Sequence, residues 1–391
     1  MLIFRLALRN LLGAGLRTWL NGLVLSISFL AIITTQALLK GMYRQTTAAM
    51  VEAEIAGGQY WHPGYDPYDP LTIQTARGVV PEALRDKIKN DKATAILIVQ
   101  GTIYPNGRMR PVLLKGIAPS QRIVTLPSAA LANSKEENIP VLIGRRMAEA
   151  IGLSKGDVFT FQWRDARGTY DARDAFIAEV MHTSVQSIDV NQIWLPLARL
   201  RDLAAMEDEA TIVICGQGAA CASAAGGWTY RSPAFLLRDV RDLVKAKSFG
   251  SIFIYMLLLF LAMLAIFDTQ IFSIFRRKKE IGTLMALGLT RARIVALFTV
   301  EGSLQAAVGA VIGAGYGIPL LALFARRGWT LLEATDSYGF ALGEKLYPVF
   351  SLGIIAGTAM LIFVTTSIVS YLPTRKIAKL KPTDALRGRL L

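Results

Sequence analysis

Four stretches of this sequence are apolar over lengths that can cross a membrane, and they restrict the fold more than any other feature. They cover residues 20–39, 249–275, 294–325 and 347–372. An α-helix rises about 1.5 Å per residue, so about 20 residues cross a hydrocarbon core of about 30 Å. We therefore predict four transmembrane helices. The first is too long for a signal peptide and is not followed by a small-residue cleavage site.

The net charge of +14 is concentrated in three segments. The segment before residue 20, the loop 273–293 and the tail after residue 373 hold 15 of the 43 cations and two of the 29 acids. Elsewhere cations and acids nearly cancel, so a basic face for nucleic acid is not expected. Four spans place all three segments on one side, which the positive-inside rule assigns to the cytoplasm. Both termini are therefore predicted to be cytoplasmic.

The predicted fold is an α-helical membrane domain with four transmembrane helices and an α+β extracytoplasmic domain between the first and second helix. Strands and helices in the second domain alternate irregularly, which favours the α+β class. The first helix is expected to continue past Lys40, because residues 42–55 contain no proline. The predicted parts are an N-terminal amphipathic segment with the first transmembrane helix (1–41), the α+β domain (42–247), the second transmembrane helix (248–275), a cytoplasmic segment (276–293), the third and fourth transmembrane helices (294–372) and a basic tail (373–391).

The segment between the second and third spans combines a basic cluster with an apolar stripe. Four cations, 276–279, precede Glu280-Ile281-Gly282, and Ile281, Leu284 and Leu287 recur at helical spacing before Gly288. One helix face therefore requires a partner. Gly288 is expected to end the helix with a positive φ. A plain cytoplasmic loop, which is the alternative, needs neither feature.

This segment, from the basic cluster to Ala286-Leu287-Gly288, resembles the cytoplasmic loop of the FtsX/MacB-type ABC transporter permeases. Three further patterns recur in the same order in the external domains of that family: Gly116-Ile117-Ala118-Pro119, Ile143-Gly144-Arg145-Arg146-Met147-Ala148, and Gly152-Leu153 with Gly156-Asp157. The layout is closest to that of the lipoprotein-releasing LolC/LolE permeases. The resemblance implies a multi-pass protein of the bacterial inner membrane with a porter-like periplasmic domain and an inserted β-subdomain at about 105–185.

The resemblance also implies a mechanotransmitting permease subunit that couples ATP hydrolysis by a separate subunit to periplasmic work. That work is expected to be the extraction of lipoproteins or a lipid-linked substrate. The alternatives are a tripartite efflux permease for small molecules or peptides, and a non-transporting regulator of cell-wall hydrolases. The implied partners are a cytoplasmic ABC ATPase dimer, a second permease copy or paralogue, a periplasmic carrier or adaptor protein, and membrane lipids. The residues expected to couple to the ATPase are Arg276, Arg277, Glu280, Ile281, Gly282, Leu284, Leu287 and Gly288.

Residue types with their own chemistry are few. The sequence contains no Gly-x4-Gly-Lys-Ser/Thr pattern, so the chain is not expected to be an enzyme or to bind a cofactor, and ATP and Mg are assigned to the partner ATPase. His62 and His182 lie in no ligand cluster, so no metal site is expected. Cys215 and Cys221 either close a small disulfide loop or leave Cys215 as the buried end of a strand.

Two further features concern the spans. Gly302, Gly309, Gly313 and Gly317 share one helix face and predict close approach of another helix. Asp268 and Glu301 are expected to reach interfacial cations or to hydrogen-bond a neighbouring helix. A path for an acyl-chain substrate is predicted near the outer ends of the first two spans, with ordinary helix–lipid packing as the alternative. Its candidate residues are Phe29, Ile33, Leu38, Met42, Ile252, Met256, Leu257 and Phe260.

Overall fold

The structure is a computed structural model that describes residues 2–13, 15–132, 138–183, 185–219, 221, 225–330 and 345–375. The predicted basic tail lies outside the described residues from 376 onwards, as does most of the short piece between the third and fourth spans. The helices are α1 (Leu2–Gly13), α2 (Leu16–Met50), α3 (Glu82–Lys89), α4 (Arg145–Ile151), α5 (Gln186–Asn191), α6 (Leu197–Ala204), α7 (Pro233–Leu236), α8 (Arg238–Arg276), α9 (Lys278–Ala286), α10 (Arg291–Arg327) and α11 (Leu352–Thr374). The strands are β1 (Gln59–Trp61), β2 (Gly78–Val79), β3 (Ala93–Ile103), β4 (Arg110–Ile117), β5 (Ile139–Gly144), β6 (Val158–Arg164), β7 (Tyr170–Met181), β8 (Gln192–Pro196), β9 (Glu209–Ala210), β10 (Ile212–Cys215), β11 (Thr229–Arg231), β12 (Trp329–Thr330) and β13 (Lys345–Leu346).

The described residues form two compact units. The helical unit holds residues up to 42, 243–330 and 346 onwards, and the α+β unit holds residues 43–242. Four helices of the described chain are long and apolar enough to cross a membrane, by length and composition. The predicted arrangement of four apolar helices with an α+β domain between the first and second is therefore confirmed, and its placement in a membrane stays a prediction.

The first long helix continues well beyond its apolar stretch, as predicted. α2 runs to Met50 and is followed by a π-helical turn, Val51–Ile55. α8 has 39 residues, which corresponds to about 58 Å at 1.5 Å per residue. This exceeds the hydrocarbon thickness of about 30 Å. Both helices are therefore longer than a span requires.

The main sheet of the α+β unit has nine strands, in the order β11-β1-β10-β3-β4-β8-β5-β7-β6. β6 also pairs with β3, so six strands from β3 to β6 close into a ring. Closure gives hydrogen-bond partners to backbone groups that an open edge leaves exposed. The predicted β-subdomain at about 105–185 does not stand apart in this pairing, because its strands β4 to β7 close the ring with β3 and β8. Its boundaries along the chain stay a prediction.

Period-two burial along the strands gives the α+β unit two cores. Phe159, Phe161 and Trp163 alternate with more exposed residues on β6 and are buried with Val141 and Ile143 of β5. A second core on other residues of the same strands includes Ile96, Ile98, Leu142 and Trp194. Side chains of a strand alternate between its two faces, so one sheet supports both cores.

Gly144 and Asp189 explain part of the Gly-Arg-Arg pattern. Asp189 is buried, and its Oδ1 accepts a hydrogen bond of 3.2 Å from the backbone N–H of Arg146 in the first turn of α4. The Arg146 side chain pairs with the same carboxylate at 3.5 Å. A Cβ on Gly144 would overlap the backbone of Asp189. Burial raises the pKa of Asp189 above its usual value, although Arg146 opposes this shift. The pattern therefore serves the packing of α4 on α5.

Candidate coupling site

The predicted cytoplasmic segment forms a short helix of its own. α8 ends at Arg276, Arg277 has a non-helical ψ of 20°, and α9 runs from Lys278 to Ala286. α10 then begins at Arg291. A nine-residue helix is marginal in isolation, so its stability must come from packing of its apolar face.

α9 ends at Gly288 in a Schellman motif. The N–H of Leu289 donates to the carbonyl of Leu284 at 3.0 Å, and the N–H of Gly288 donates to the carbonyl of Met285 at 3.1 Å. Gly288 has a φ of +93°, which confirms the expected positive φ. Leu284 and Leu289 belong to one apolar cluster, which is the contact that commonly accompanies this motif. The direction in which the chain leaves α9 is therefore fixed.

The residues of the apolar stripe differ in burial: some pack on α10 and one is exposed. Ile281 is fully buried with Ile294 and Phe298 of α10, and Leu284 packs on the same cluster. Leu287, in contrast, is 80% exposed. We predicted that all three would face a partner. For Ile281 that is wrong, because α10 already covers it.

Arg277 ties the start of α9 to α10, and Asn10 of α1 joins this group through Glu301. Its Nε donates to Glu280 Oε2 at 2.7 Å, and its Nη1 donates to Glu301 Oε2 at 3.0 Å. Asn10 Nδ2 of α1 donates to the same Glu301 oxygen at 3.5 Å. The guanidinium also lies 5.1 Å from the ring centroid of Phe298, within range of a cation–π contact.

Glu301 therefore has an interfacial cation as its partner, as expected. The partner of Glu301 is Arg277, because the break after α8 places that residue beside α10. Asp268 is exposed. Nothing in the periodicity of the sequence indicated that Asn10 would join Arg277 and Glu301.

The exposed part of the segment is small and basic. Leu287 and Ala286 are exposed, as are Lys279, Arg291 and Arg293 nearby in the sequence. Gly282 is buried and Arg276 is exposed. An exposed leucine among cations suits an apolar cleft with an acidic rim. This surface, from Lys279 to Arg293, is called the α9 face below.

The predicted substrate-path residues differ in how far they are buried. Ile33 and Met42 on α2 are buried, so a substrate cannot contact them in this structure, whereas Leu38 is half-buried. Phe29 lines an apolar cavity of about 280 Å³ together with residues of α10 and α11. The four α8 residues are more than 40% exposed: Ile252, Met256, Leu257 and Phe260. Whether these side chains meet a substrate stays a prediction.

The cysteine pair and His62, which the sequence analysis considered for a disulfide and for a metal site, lie in the α+β unit. Cys215 and Cys221 form a disulfide. His62 Nδ1 accepts a hydrogen bond of 3.2 Å from the N–H of Gly64. Within the described residues, no three His, Cys, Asp or Glu side chains are grouped so that they could hold a metal ion.

Comparison with known proteins finds a family match for residues 252–382. The FtsX-like permease C-terminal domain matches residues 252–382. An uncharacterized ABC transporter permease of Methanocaldococcus jannaschii, MJ1507, is 33% identical over 125 residues, which are 31% of this chain and 28% of that protein. The macrolide export ATP-binding/permease protein MacB of Campylobacter fetus is 30% identical over 123 residues, 30% of this chain and 16% of that protein. The uncharacterized ABC transporter permease YknZ of Bacillus subtilis is 30% identical over 125 residues, 32% of this chain and 27% of that protein.

The chain spans less than a third of the length of these curated relatives. Among solved structures, the extracellular domain of the ABC-type transporter YknZ from Gram-positive bacteria covers 42% of this chain and 83% of that one, at 14% identity and a TM-score of 0.26. That structural likeness is too weak to support an argument. The sequence matches confirm the resemblance inferred from the basic cluster and the Glu-Ile-Gly pattern: residues 252–382 match an FtsX-like permease C-terminal domain, and the relatives over this region are ABC transporter permeases of the FtsX/MacB type.

Proposed function

We propose that this chain is the permease subunit of an ABC transporter and that the α9 face receives motion from a separate ATPase subunit. The observation that carries the proposal is the construction of α9. Its start is held by the ion pair of Arg277 with Glu301, the turn that follows it is fixed by Gly288, and Leu287 in that turn is 80% exposed. A helix fixed at both ends transmits a push to α10 instead of absorbing it.

The proposal includes a topology. Three basic segments, the α9 face among them, lie on the cytoplasmic side of a bacterial inner membrane, and the α+β unit lies on the periplasmic side. ATP and Mg are bound by the partner ATPase, which acts as a dimer, and this chain works with a second permease copy or a paralogue. The chain itself is not an enzyme and binds no cofactor. The absence of a Walker A pattern from its sequence supports this division of labour.

The substrate is the least constrained part of the proposal. Lipoprotein extraction rested on a likeness of layout to the LolC/LolE permeases. Of the three relatives described above, one is named for macrolide export and none for lipoprotein release. This favours export of a small molecule or peptide through a complex with a periplasmic adaptor. Regulation of cell-wall hydrolases without transport remains a third candidate, and the size of the α+β unit disfavours it.

Leu287→Asp tests the coupling role. The chain is co-expressed with a candidate ABC ATPase from the same organism that co-purifies with the wild-type chain, and the co-purified ATPase and its ATP turnover are measured. Burying a carboxylate in an apolar cleft costs several kcal/mol, so we expect at least a tenfold loss of co-purified ATPase. Leu284→Asp is unsuitable, because Leu284 packs on the core beneath α9.

Leu352→Asp is the matched control, since Leu352 is also an exposed leucine of the helical unit and lies at the first residue of α11. The proposed topology puts that end of α11 on the periplasmic side. Normal ATPase recovery and normal turnover in Leu287→Asp would rule out the α9 face as the docking surface.

A further inference from the structure

The α+β unit contains a cavity of about 840 Å³ that none of the predictions above uses. Its floor is formed by β3 and β4, with Ile98, Gln100 and Leu113 among the lining residues. One wall is the segment 67–77 and the other is the end of β6 with the turn into β7. The volume lies within the range of roughly 300–1,000 Å³ typical of ligand pockets.

A chain of side-chain hydrogen bonds crosses this cavity from wall to wall. Gln100 Nε2 on the floor donates to the carbonyl of Pro70 at 2.6 Å. Gln74 Nε2 donates to Gln100 Oε1 at 3.1 Å, and Arg164 Nη1 donates to Gln74 Oε1 at 3.4 Å. The bond from Arg164 to Gln74 is long, so a ligand can replace it at little energetic cost. A third glutamine, Gln162, also lines the cavity.

The charges at the cavity are mainly positive. Arg77, Arg164 and Arg167 all line it, and Asp165 is the one carboxylate among the lining residues. Asp165 Oδ1 is already engaged, because it accepts the N–H groups of Arg167 at 2.9 Å and Thr169 at 2.7 Å within the turn. Three guanidinium groups, opposed by Asp165 and by Glu209 beside Arg77, leave a net positive charge that favours a ligand with a carboxylate.

Arg77 supplies a second reason to expect an anionic group. Its Nε lies 3.6 Å from Glu209 Oε2, which is an ion pair but longer than a hydrogen bond. Its Nη1 is buried and has no hydrogen-bond partner. A buried donor without a partner carries an energetic cost, and an acceptor in the cavity relieves it once the Arg77 side chain turns toward the cavity.

Much of the remaining lining of the cavity is apolar, beside Thr75, Thr102 and Asn191. Ile73, Trp163 and Met206 are buried at its surface, and Tyr170 at its rim is 67% exposed. A ligand for this site therefore needs an apolar portion beside its anion. A side-chain amide both donates and accepts, as does a peptide unit, so the glutamines match a peptide backbone as the arginines match a carboxylate.

We propose that this cavity binds a short peptide segment bearing an acidic side chain, with Arg77 and Arg164 on the carboxylate and Gln74 and Gln100 on the peptide backbone. This inference does not depend on the proposed ATPase coupling, because it concerns binding to the α+β unit alone. It stands whether the bound peptide is cargo, part of an adaptor or a signal.

The test uses the full chain in detergent and three synthetic libraries of acetylated, amidated pentapeptides. The four outer positions are randomised, and the central residue is Glu, Gln or Lys. Retained peptides are quantified by mass spectrometry after size exclusion. We expect the Glu library to be retained at least tenfold over the Gln library, since a charge-assisted hydrogen bond changes affinity by about that factor or more. The Lys library should be retained least.

Variants then assign the binding to the cavity. Arg164→Gln, at an exposed position, should reduce retention of the Glu library to that of the Gln library, and unchanged thermal unfolding shows that loss of the bond from Arg164 to the Gly168 carbonyl leaves the fold intact. Arg77→Gln should do the same, although it also removes the pair with Glu209. Arg173→Gln, on the neighbouring strand β7 and outside the cavity lining, is the matched control and should retain the Glu library fully.

Three outcomes would overturn the proposal. One is equal retention of all three libraries. Another is undiminished retention by both Arg164→Gln and Arg77→Gln, which would locate the peptide elsewhere. The third is binding of glycerol phosphate, lost in Arg164→Gln, without retention of any peptide library, which would assign the cavity to a phosphate-bearing ligand.

Discussion

Arg277 joins α9 to α10 through a single guanidinium group. Arginine can do this because its five donors are held in one plane and remain charged at any physiological pH. Two of its nitrogens bond carboxylates, Glu280 and Glu301, and its face lies over Phe298. Lysine at this position would supply one point charge and lose the second bond. The buried carboxylate of Glu301 is stabilised chiefly by this contact.

His62 gives the α+β unit a predictable dependence on pH. Burial lowers the pKa of His62 below its ordinary value of 6.5, although Glu209 opposes this shift. Protonation would also remove the acceptor that Nδ1 offers to Gly64, and the ring lies 5.7 Å from that of Trp228. The folded state therefore binds this proton more weakly than the unfolded chain. Stability from His62 is fully present above about pH 6.5 and is lost as the pH falls through the lowered pKa.

His62→Asn should remove this dependence, because the amide oxygen keeps the acceptor and does not titrate. We expect the melting temperature of the α+β unit in the full chain, followed by tryptophan fluorescence, to fall between pH 7 and pH 5. The slope should be smaller in His62→Asn and unchanged in His182→Asn. Equal slopes in the wild type and in His62→Asn would show that another group controls the pH response.

At the scale of elements, the small-residue face of α10 allows α2 to approach closely. A Cβ on Gly309 would lie 2.7 Å from the Cβ of Leu25, and one on Gly317 would lie 2.8 Å from Leu30 Cδ1. Gly302 instead faces Ser370 of α11 and Gln270 of α8. The predicted packing role is confirmed, and it serves more than one neighbouring helix.

A pair of alanine substitutions on α10 should have opposite effects. Gly309→Ala forces Leu25 and its helix to shift, so we expect a loss of about 1–3 kcal/mol in stability. Gly315→Ala lies on the same helix with nothing within 4 Å of the new Cβ, and it should gain up to about 1 kcal/mol through helix propensity. Thermal unfolding of both variants in detergent measures the difference. A stabilised Gly309→Ala would contradict the close packing of α2 on α10.

The ring of strands is an element that local pattern does not reveal. Alternation of buried and exposed residues identifies β6 and the buried part of β7 as strands. It does not show that β6 returns to residues 101–103 of β3, nor that β4 pairs in parallel with β8. Such pairings join residues about 60 to 80 positions apart, and only the completed sheet selects them.

For the whole molecule, the concentration of positive charge predicts which parts share one side of a membrane. An otherwise Cys-free chain with Ala286→Cys, Arg9→Cys or Ala385→Cys should resist an impermeant thiol reagent added from the periplasmic side. Ala166→Cys, at an exposed position of the α+β unit, should react. The measurement is the labelled fraction in intact spheroplasts and again after lysis. Labelling at position 286 before lysis would overturn the topology and, with it, the proposed docking of the ATPase.

The sequence by itself determined the four apolar helices, the α+β domain between the first two, the FtsX-like character of residues 252–382, and the positive φ of Gly288 after α9. These follow from local composition, period and glycine conformation, which act over a few residues at a time. Only the tertiary structure decided which residues of α9 remain available to a partner, because burial of Ile281 depends on α10. It alone also brought Arg77, Gln100 and Arg164 to one cavity, since residues this far apart in the chain meet only through the closure of the sheet.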